Sequence, residues 1–189
     1  MSDLKRMRNK KTRHALLDLC EFLPFDIVGM EIGSFAGESS EVFIQSDKFR
    51  RLYCIDPWNT NACEQNNAEQ RFDVVNSKYS SLIKCKGTLD DHYRNIDTVQ
   101  FTYIDARHEF EHTLKFIFQA LLLSTVPCFI GGHDYNCRKF PGVTRAVNMI
   151  AGEKNLITFE DHSFLTMIKP EHKTAITAFK PTKKYLERE

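Results

Sequence analysis

The chain has 189 residues, the length of one domain and enough to bury a core without disulfide staples. A hydrophobic fraction of 42% and a charged fraction of 27% are ordinary for a globular chain, and a net charge of +1 gives no bulk electrostatic basis for binding nucleic acid or a membrane surface. No apolar run reaches the ~20 residues of a membrane span. The basic start MSDLKRMRNKK is not followed by an apolar stretch of signal-peptide length. The six cysteines form no CxxC and no zinc-site spacing, so reduced, mostly buried thiols in a cytoplasmic protein are expected.

In chain order, Ser2 or Asp3 can cap a helix running to about Phe22, with Leu16, Leu17, Leu19, Cys20 and Leu23 on its apolar side and Pro24 as its stop. FDIVGMEIG is an apolar run ending in an acid and a glycine, which predicts a buried strand, and a helix follows from Gly37 to about Ser46. RRLYCID repeats the strand pattern. A polar helix is predicted from Glu64 to Tyr79, a third strand in SLIKCKG and a fourth in VQFTYID. An amphipathic helix covers Glu109 to Leu123, and VPCFIGG is a fifth strand. After the Pro141–Gly142 turn, Val143 to Ile150 reads as a helix, and NLITFED and SFLTMIKP read as an antiparallel pair. Strands alternating with helices predict an α/β, Rossmann-like, doubly wound and mostly parallel sheet, with helices on both faces and an antiparallel strand at its C-terminal end. The predicted organisation is a single domain over residues 1–189: an N-terminal helix in 1–24, the core in 25–169 and a tail in 170–189.

Sheets of this kind bind ligands beyond the carboxyl ends of their strands. The polar residues standing there are Glu31, Asp56, Asp105, His133 and Asp134. The first loop, Glu31-Ile32-Gly33-Ser34-Phe35-Ala36-Gly37, lacks the middle glycine of a dinucleotide-binding GxGxxG. An acid two residues before Gly33 suits a cofactor without phosphates and with positive charge. S-adenosylmethionine, with its sulfonium and ammonium, is such a cofactor. Gly33, Ser34, Phe35 and Gly37 would form its loop. Asp56, about 25 residues on, is placed to accept hydrogen bonds from ribose hydroxyls, or else caps the turn before Pro57. Trp58 either stacks near the adenine or anchors the core. Thr88 or Asp90, after the third strand, lies where an adenine edge would be.

Together, EIGSFAGESS, YCIDPW, FTYIDARHEFEH and IGGHDYNCRKFPGVTRAV, in that order and spacing, resemble class I methyltransferases, closest to the macrocin-type O-methyltransferase and cephalosporin-hydroxylase-like subgroup. The resemblance spans roughly Phe25 to Ile168. It implies S-adenosylmethionine as cofactor and O-methyl transfer to a small-molecule or sugar-like hydroxyl. It also implies a divalent metal, Mg²⁺ or Mn²⁺, held by positions matching Asp105, His133 and Asp134, although His133 stands where macrocin-type members carry an acid. His108 and His133 are the candidate bases, with Asp105 beside them. His108-Glu109-Phe110-Glu111-His112 also matches the HExxH of zinc proteases, but opens a helix instead of sitting within one. Phe140-Pro141-Gly142-Val143 is expected to wall the acceptor pocket. A domain with so little decoration leaves its pocket open, which suggests either a large acceptor or closure by a partner subunit in a homo-oligomer. The rival readings are a methyltransferase acting on nucleic acid or protein, a cofactor-binding protein without turnover, and a nicotinamide dehydrogenase.

Overall fold

The computed structural model describes residues 10–151 and 155–171. The predicted cap at Ser2 or Asp3 and the tail beyond residue 171 lie outside them. The elements are α1 (Lys10–Glu21), β1 (Ile27–Ile32), α2 (Glu38–Gln45), β2 (Phe49–Asp56), α3 (Asn61–Gln65), α4 (Ala68–Asn76), β3 (Leu82–Lys86), α5 (Leu89–His92), β4 (Val99–Ile104), α6 (Phe110–Leu123), β5 (Ser124–Gly132), α7 (Pro141–Ala151), β6 (Leu156–Thr158) and β7 (Phe164–Ile168).

The strands form one sheet in the order β3-β2-β1-β4-β5-β7-β6. β1 through β5 run parallel, and β7 is antiparallel to both β5 and β6. All six residues of β1 are buried, as expected of a central strand covered on both faces. Alternation along the strands sorts their side chains into two cores. Val28, Met30 and Ile32 of β1 join Tyr53 and Ile55 of β2 under α6 and α7, through Leu114, Ile117, Val143 and Val147. Ile27, Leu52 and Cys54 face α1, α2 and α4, through Leu16, Leu19, Phe43 and Phe72. Phe43 is the pivot of that second core, edge-on to Phe49, Phe101 and Tyr103 at 5.8, 5.5 and 5.0 Å between ring centres.

The chain winds outward from β1 in both directions, so the order reverses between β1 and β4. That reversal opens a crevice at their carboxyl ends. Two predicted elements differ in outline. The helix expected over Glu64 to Tyr79 is divided into α3 and α4, because Asn67 takes a left-handed φ of +48° between them. β5 begins at Ser124, earlier than VPCFIGG, since Ser124 pairs with Val99. No helix among the described residues is long and apolar enough to cross a membrane.

Candidate functional site

The β1–α2 loop is the tightest point of the crevice. Gly33 has φ +95°, and a Cβ on it would lie 2.1 Å from the backbone oxygen of Asp105 at the end of β4. Only glycine lets two strand ends approach this closely. Phe35, also left-handed at φ +43°, is clamped from both sides. Its N–H donates to Asp56 Oδ2 at 3.0 Å, and its carbonyl accepts from the Trp58 indole N–H at 2.6 Å. Asp56 also accepts from the Trp58 backbone N–H at 2.8 Å. The acid at the end of β2 thus shapes the loop at the end of β1. Burial raises the Asp56 pKa, against the pull of those two backbone donors. Trp58 is buried against Phe72 with ring centres 5.0 Å apart, so it is the anchor that holds this loop and not an open stacking surface.

Glu31 was expected to face the cofactor. It is instead wholly buried, and its two carboxylate oxygens accept from the hydroxyls of Ser39 and Ser40 in the first turn of α2. Burial pushes its pKa up to about 7, opposed by these hydroxyls. Its place is therefore beneath the loop, tying α2 to β1. Ser34 is buried beside it, and Thr88 is exposed, with its hydroxyl and N–H both donating to Asp91 at 2.7 Å as the cap of α5.

On the other side of Gly33, Asp105, His108, His133, Val143 and Phe164 line a cavity. His108 Nε2 lies 2.8 Å from Asp134 Oδ2, and His133 Nδ1 lies 3.3 Å from Asp134 Oδ1. One carboxylate therefore bridges two imidazoles. Asp134 sits at φ +66°, a left-handed turn that swings its side chain back under the strand ends. Phe140 stacks flat on the His108 ring at 3.9 Å, and Gly142 lets α7 press against the start of α6. Of Phe140-Pro141-Gly142-Val143, expected to wall the acceptor pocket, Val143 lines the cavity and Phe140 reaches it through His108.

The electrostatics separate the two histidines. Burial lowers the His133 pKa, but the hydrogen bond to Asp134 and the charges of Asp105, Asp134 and Asp161 outweigh it and raise it to about 9. His133 is then an imidazolium at neutral pH and unsuited to accept a proton, contrary to its expected role as a base. Burial also works to raise Asp134, but the hydrogen bond and charge of His133, together with His108, hold its pKa below the ordinary range. Asp105 is raised, mainly by burial, with Asp134 and Asp161 adding to the effect and the two histidines opposing it. Its carboxylate accepts no hydrogen bond from any described residue.

Three potential ligand atoms, from Asp105, His108 and Asp134, lie within 4.8 Å of one another. The expected metal set named His133 where the structure brings in His108. His133 turns its Nε2 toward Asp161 instead, at 3.8 Å. His112, the second histidine of HExxH, faces Glu109 at 3.6 Å and does not join the cluster. Asp161 escaped sequence analysis. Its side chain is 1% exposed and accepts from the N–H and hydroxyl of Ser163 at 2.9 and 3.0 Å. Its turn is clamped to the site by the Tyr135 N–H donating to the His162 carbonyl at 2.9 Å.

Residues 30–135, more than half of the chain, match the family described as Methyltransferase domain. No curated protein sequence matches the chain. Among solved structures, an O-methyltransferase from Bacillus cereus in complex with SAH superposes with a TM-score of 0.61 at 16% identity, covering 85% of this chain and 82% of that one. The O-methyltransferase TomG from Streptomyces achromogenes, in complex with SAM, gives 0.60 at 16% identity over 85% and 81%. An rRNA methylase from Streptococcus thermophilus gives 0.55 at 12% identity over 86% and 98%. At these identities the superpositions establish a shared fold, while the matched block runs from within β1 to one residue past Asp134 and so carries the loop, the strand-end acids and both site histidines. This chain belongs to the methyltransferase-domain family, in its class I, Rossmann-like form.

Proposed function

We propose that the chain is an S-adenosylmethionine-dependent methyltransferase acting on a hydroxyl of a small-molecule acceptor. The observation that carries this reading is the pair of carboxylates, Asp56 and Asp105, standing at strand ends on either side of the Gly33 loop. Carboxylates suit ribose hydroxyls and a cationic sulfonium, and they would repel the pyrophosphate of a dinucleotide. The SAM and SAH held by the Streptomyces achromogenes and Bacillus cereus enzymes support the same cofactor here. Asp56 has acceptor capacity left for the ribose, the backbone of Gly33 to Gly37 would border the amino-acid end, and Thr88 would flank the adenine side. When bound, the cofactor supplies an electrophilic methyl group.

The chain's own contribution is on the acceptor side. Asp134, ionised, holds the Nε2–H tautomer of His108 and leaves Nδ1 as the lone pair. That nitrogen is the base that takes the acceptor's hydroxyl proton, and Phe140 fixes the ring plane. His133, charged, offsets Asp105 and Asp134, helping to hold Asp134 low and opposing the burial that raises Asp105. Asp105, His108 and Asp134 also fit a divalent ion, and an imidazole among the ligands favours Mn²⁺ over Mg²⁺. Bound there, the ion would acidify the acceptor hydroxyl. Free, buried thiols support a cytoplasmic location, and sedimentation velocity tests self-association.

The test is calorimetric titration with S-adenosylhomocysteine of the wild-type protein and of Asp56→Ala, followed by an acceptor screen with Mn²⁺, Mg²⁺ or EDTA. Binding that collapses in the variant is expected. Absence of binding to folded wild-type protein would end this reading.

A further inference from the structure

Resting on that reading, we infer that the acceptor carries an anionic group, a phosphate or a carboxylate, recognised by Arg138, Lys139 and Arg145 beside the cavity. Residues 135–151, the loop after β5 and all of α7, contain these three cations and no acid. All three are exposed. Elsewhere many cations are answered, Arg51 by Asp97, Arg71 by Glu38, Lys84 by Glu69 and Asp73, Lys115 by Asp90, whereas Lys48 and Arg94 stand singly without an ion pair among the described residues. Arg138, Lys139 and Arg145 make no ion pair among the described residues. The nearby Glu109 is engaged by Arg107 and His112, and Glu111 pairs with none of the three.

Two of the cations rest on aromatic rings at the edge of the site. Lys139 Nζ lies 5.1 Å from the centre of Phe140, the ring stacked on His108. The Arg145 guanidinium lies 4.8 Å from the centre of Phe110, the first residue of α6. Seats of this kind hold the charge in place and leave its N–H groups free for a ligand. The N-terminus of α7 adds its dipole in the same sense. Inside, Asp105 lines the cavity with Asp134 and Asp161 behind it; of the two other charged lining residues, Arg107 is answered by Glu109 and His133 is shared between Asp134 and Asp161, so carboxylates are in excess. An anionic group is repelled there and attracted outside, so the charge pattern turns the acceptor hydroxyl inward to His108 and its anion outward. Three cations are too few to track a nucleic-acid backbone, and a net charge of +1 agrees with a discrete small anion.

The experiment uses ¹⁵N-labelled protein saturated with S-adenosylhomocysteine in EDTA, titrated with inorganic pyrophosphate and, in parallel, citrate. Saturable amide shifts centred on residues 138–145 with either anion are expected. Their affinity should fall at least about tenfold in the triple variant Arg138→Gln, Lys139→Gln, Arg145→Gln. It should hold in the remote control Lys78→Gln, Lys86→Gln. Lack of saturation, equal loss in the control, or tighter binding of a short single-stranded RNA to the same segment would overturn the inference. If S-adenosylhomocysteine binds and neither anion does, the inference alone fails. If it does not bind, the reading beneath fails.

Discussion

Replacing Glu31 by Gln should stabilise the protein at alkaline pH, and by an amount that the burial of Glu31 dictates. Its carboxyl is wholly buried and its pKa rises from an ordinary 4.5 to about 7, burial being the main cause. The folded state therefore binds this proton more tightly than the unfolded state does. The stability the group contributes is full below pH 4.5 and is lost as pH rises through about 7. At about 1.4 kcal/mol per pH unit, ionised Glu31 costs the fold about 3 kcal/mol at pH ~8.5, and less than about 1 kcal/mol at pH ~5. Gln is nearly isosteric. Its Oε1 accepts from one of Ser39 and Ser40, and its Nε2 donates to the other after a hydroxyl rotation. Urea unfolding followed by circular dichroism at both pH values would read the difference between wild type and variant. A Gln variant no more stable than wild type at the alkaline value would refute the claim that this carboxylate ionises against its surroundings. Because Glu31 lies under the loop and not beside a ligand, affinity for S-adenosylhomocysteine should stay within about twofold, which a titration checks.

Gly33→Ala should destabilise the fold by roughly 3 kcal/mol or more, since its Cβ would enter the backbone of Asp105 at a φ that alanine disfavours; urea melts measure it. Asp161→Asn should lower the His133 pKa slightly from about 9, because Asp161 adds less than the hydrogen bond and charge of Asp134 and the charge of Asp105, and ¹⁵N shifts of the ring read the change. His133 then stops contributing stability at a lower pH, because a raised histidine stabilises below 6.5 and loses its contribution as pH climbs through its folded value. His108→Gln should cut kcat on any accepted hydroxyl by about 10²–10⁴ with unchanged cofactor affinity; retained turnover would remove His108 as the base. If EDTA abolishes turnover and Mn²⁺ restores it, the same three side chains serve as ligands, and His108 cannot also donate its Nε2–H to Asp134.

The central strands were legible, because strands covered on both faces read as apolar runs that end where a polar side chain meets the crevice. FDIVGMEIG, RRLYCID and VQFTYID did so with Glu31, Asp56 and Asp105 at their ends. Where those acids point was less legible. Glu31 lies opposite Cys54, two residues deeper in the sheet than Asp56, and two serines of α2 bind it in the core, while backbone donors hold Asp56 at the loop. Histidine roles were hidden for a related reason. His108 and His133 stand on different strand ends, and only the left-handed turn at Asp134 decides which nitrogen each presents to it. Asp161 carries a local signal, an Asp two residues before a serine that can form an Asx turn. Its relevance depends on β7 returning antiparallel beside β5, a pairing across more than 30 residues. The four-residue α5 is too short to show any period.

The contact between Gly33 and Asp105 makes the two ligand compartments neighbours with a shared partition. There is no room in it for even a methyl group, so the partition has no slack. A loop displaced by an arriving cofactor must push the peptide that carries Asp105, and an acceptor that draws on Asp105 must push back on the loop. Occupancy of one compartment therefore changes affinity in the other, and thermodynamic reciprocity makes the two effects equal. The strength of that coupling is then a property of one missing side chain.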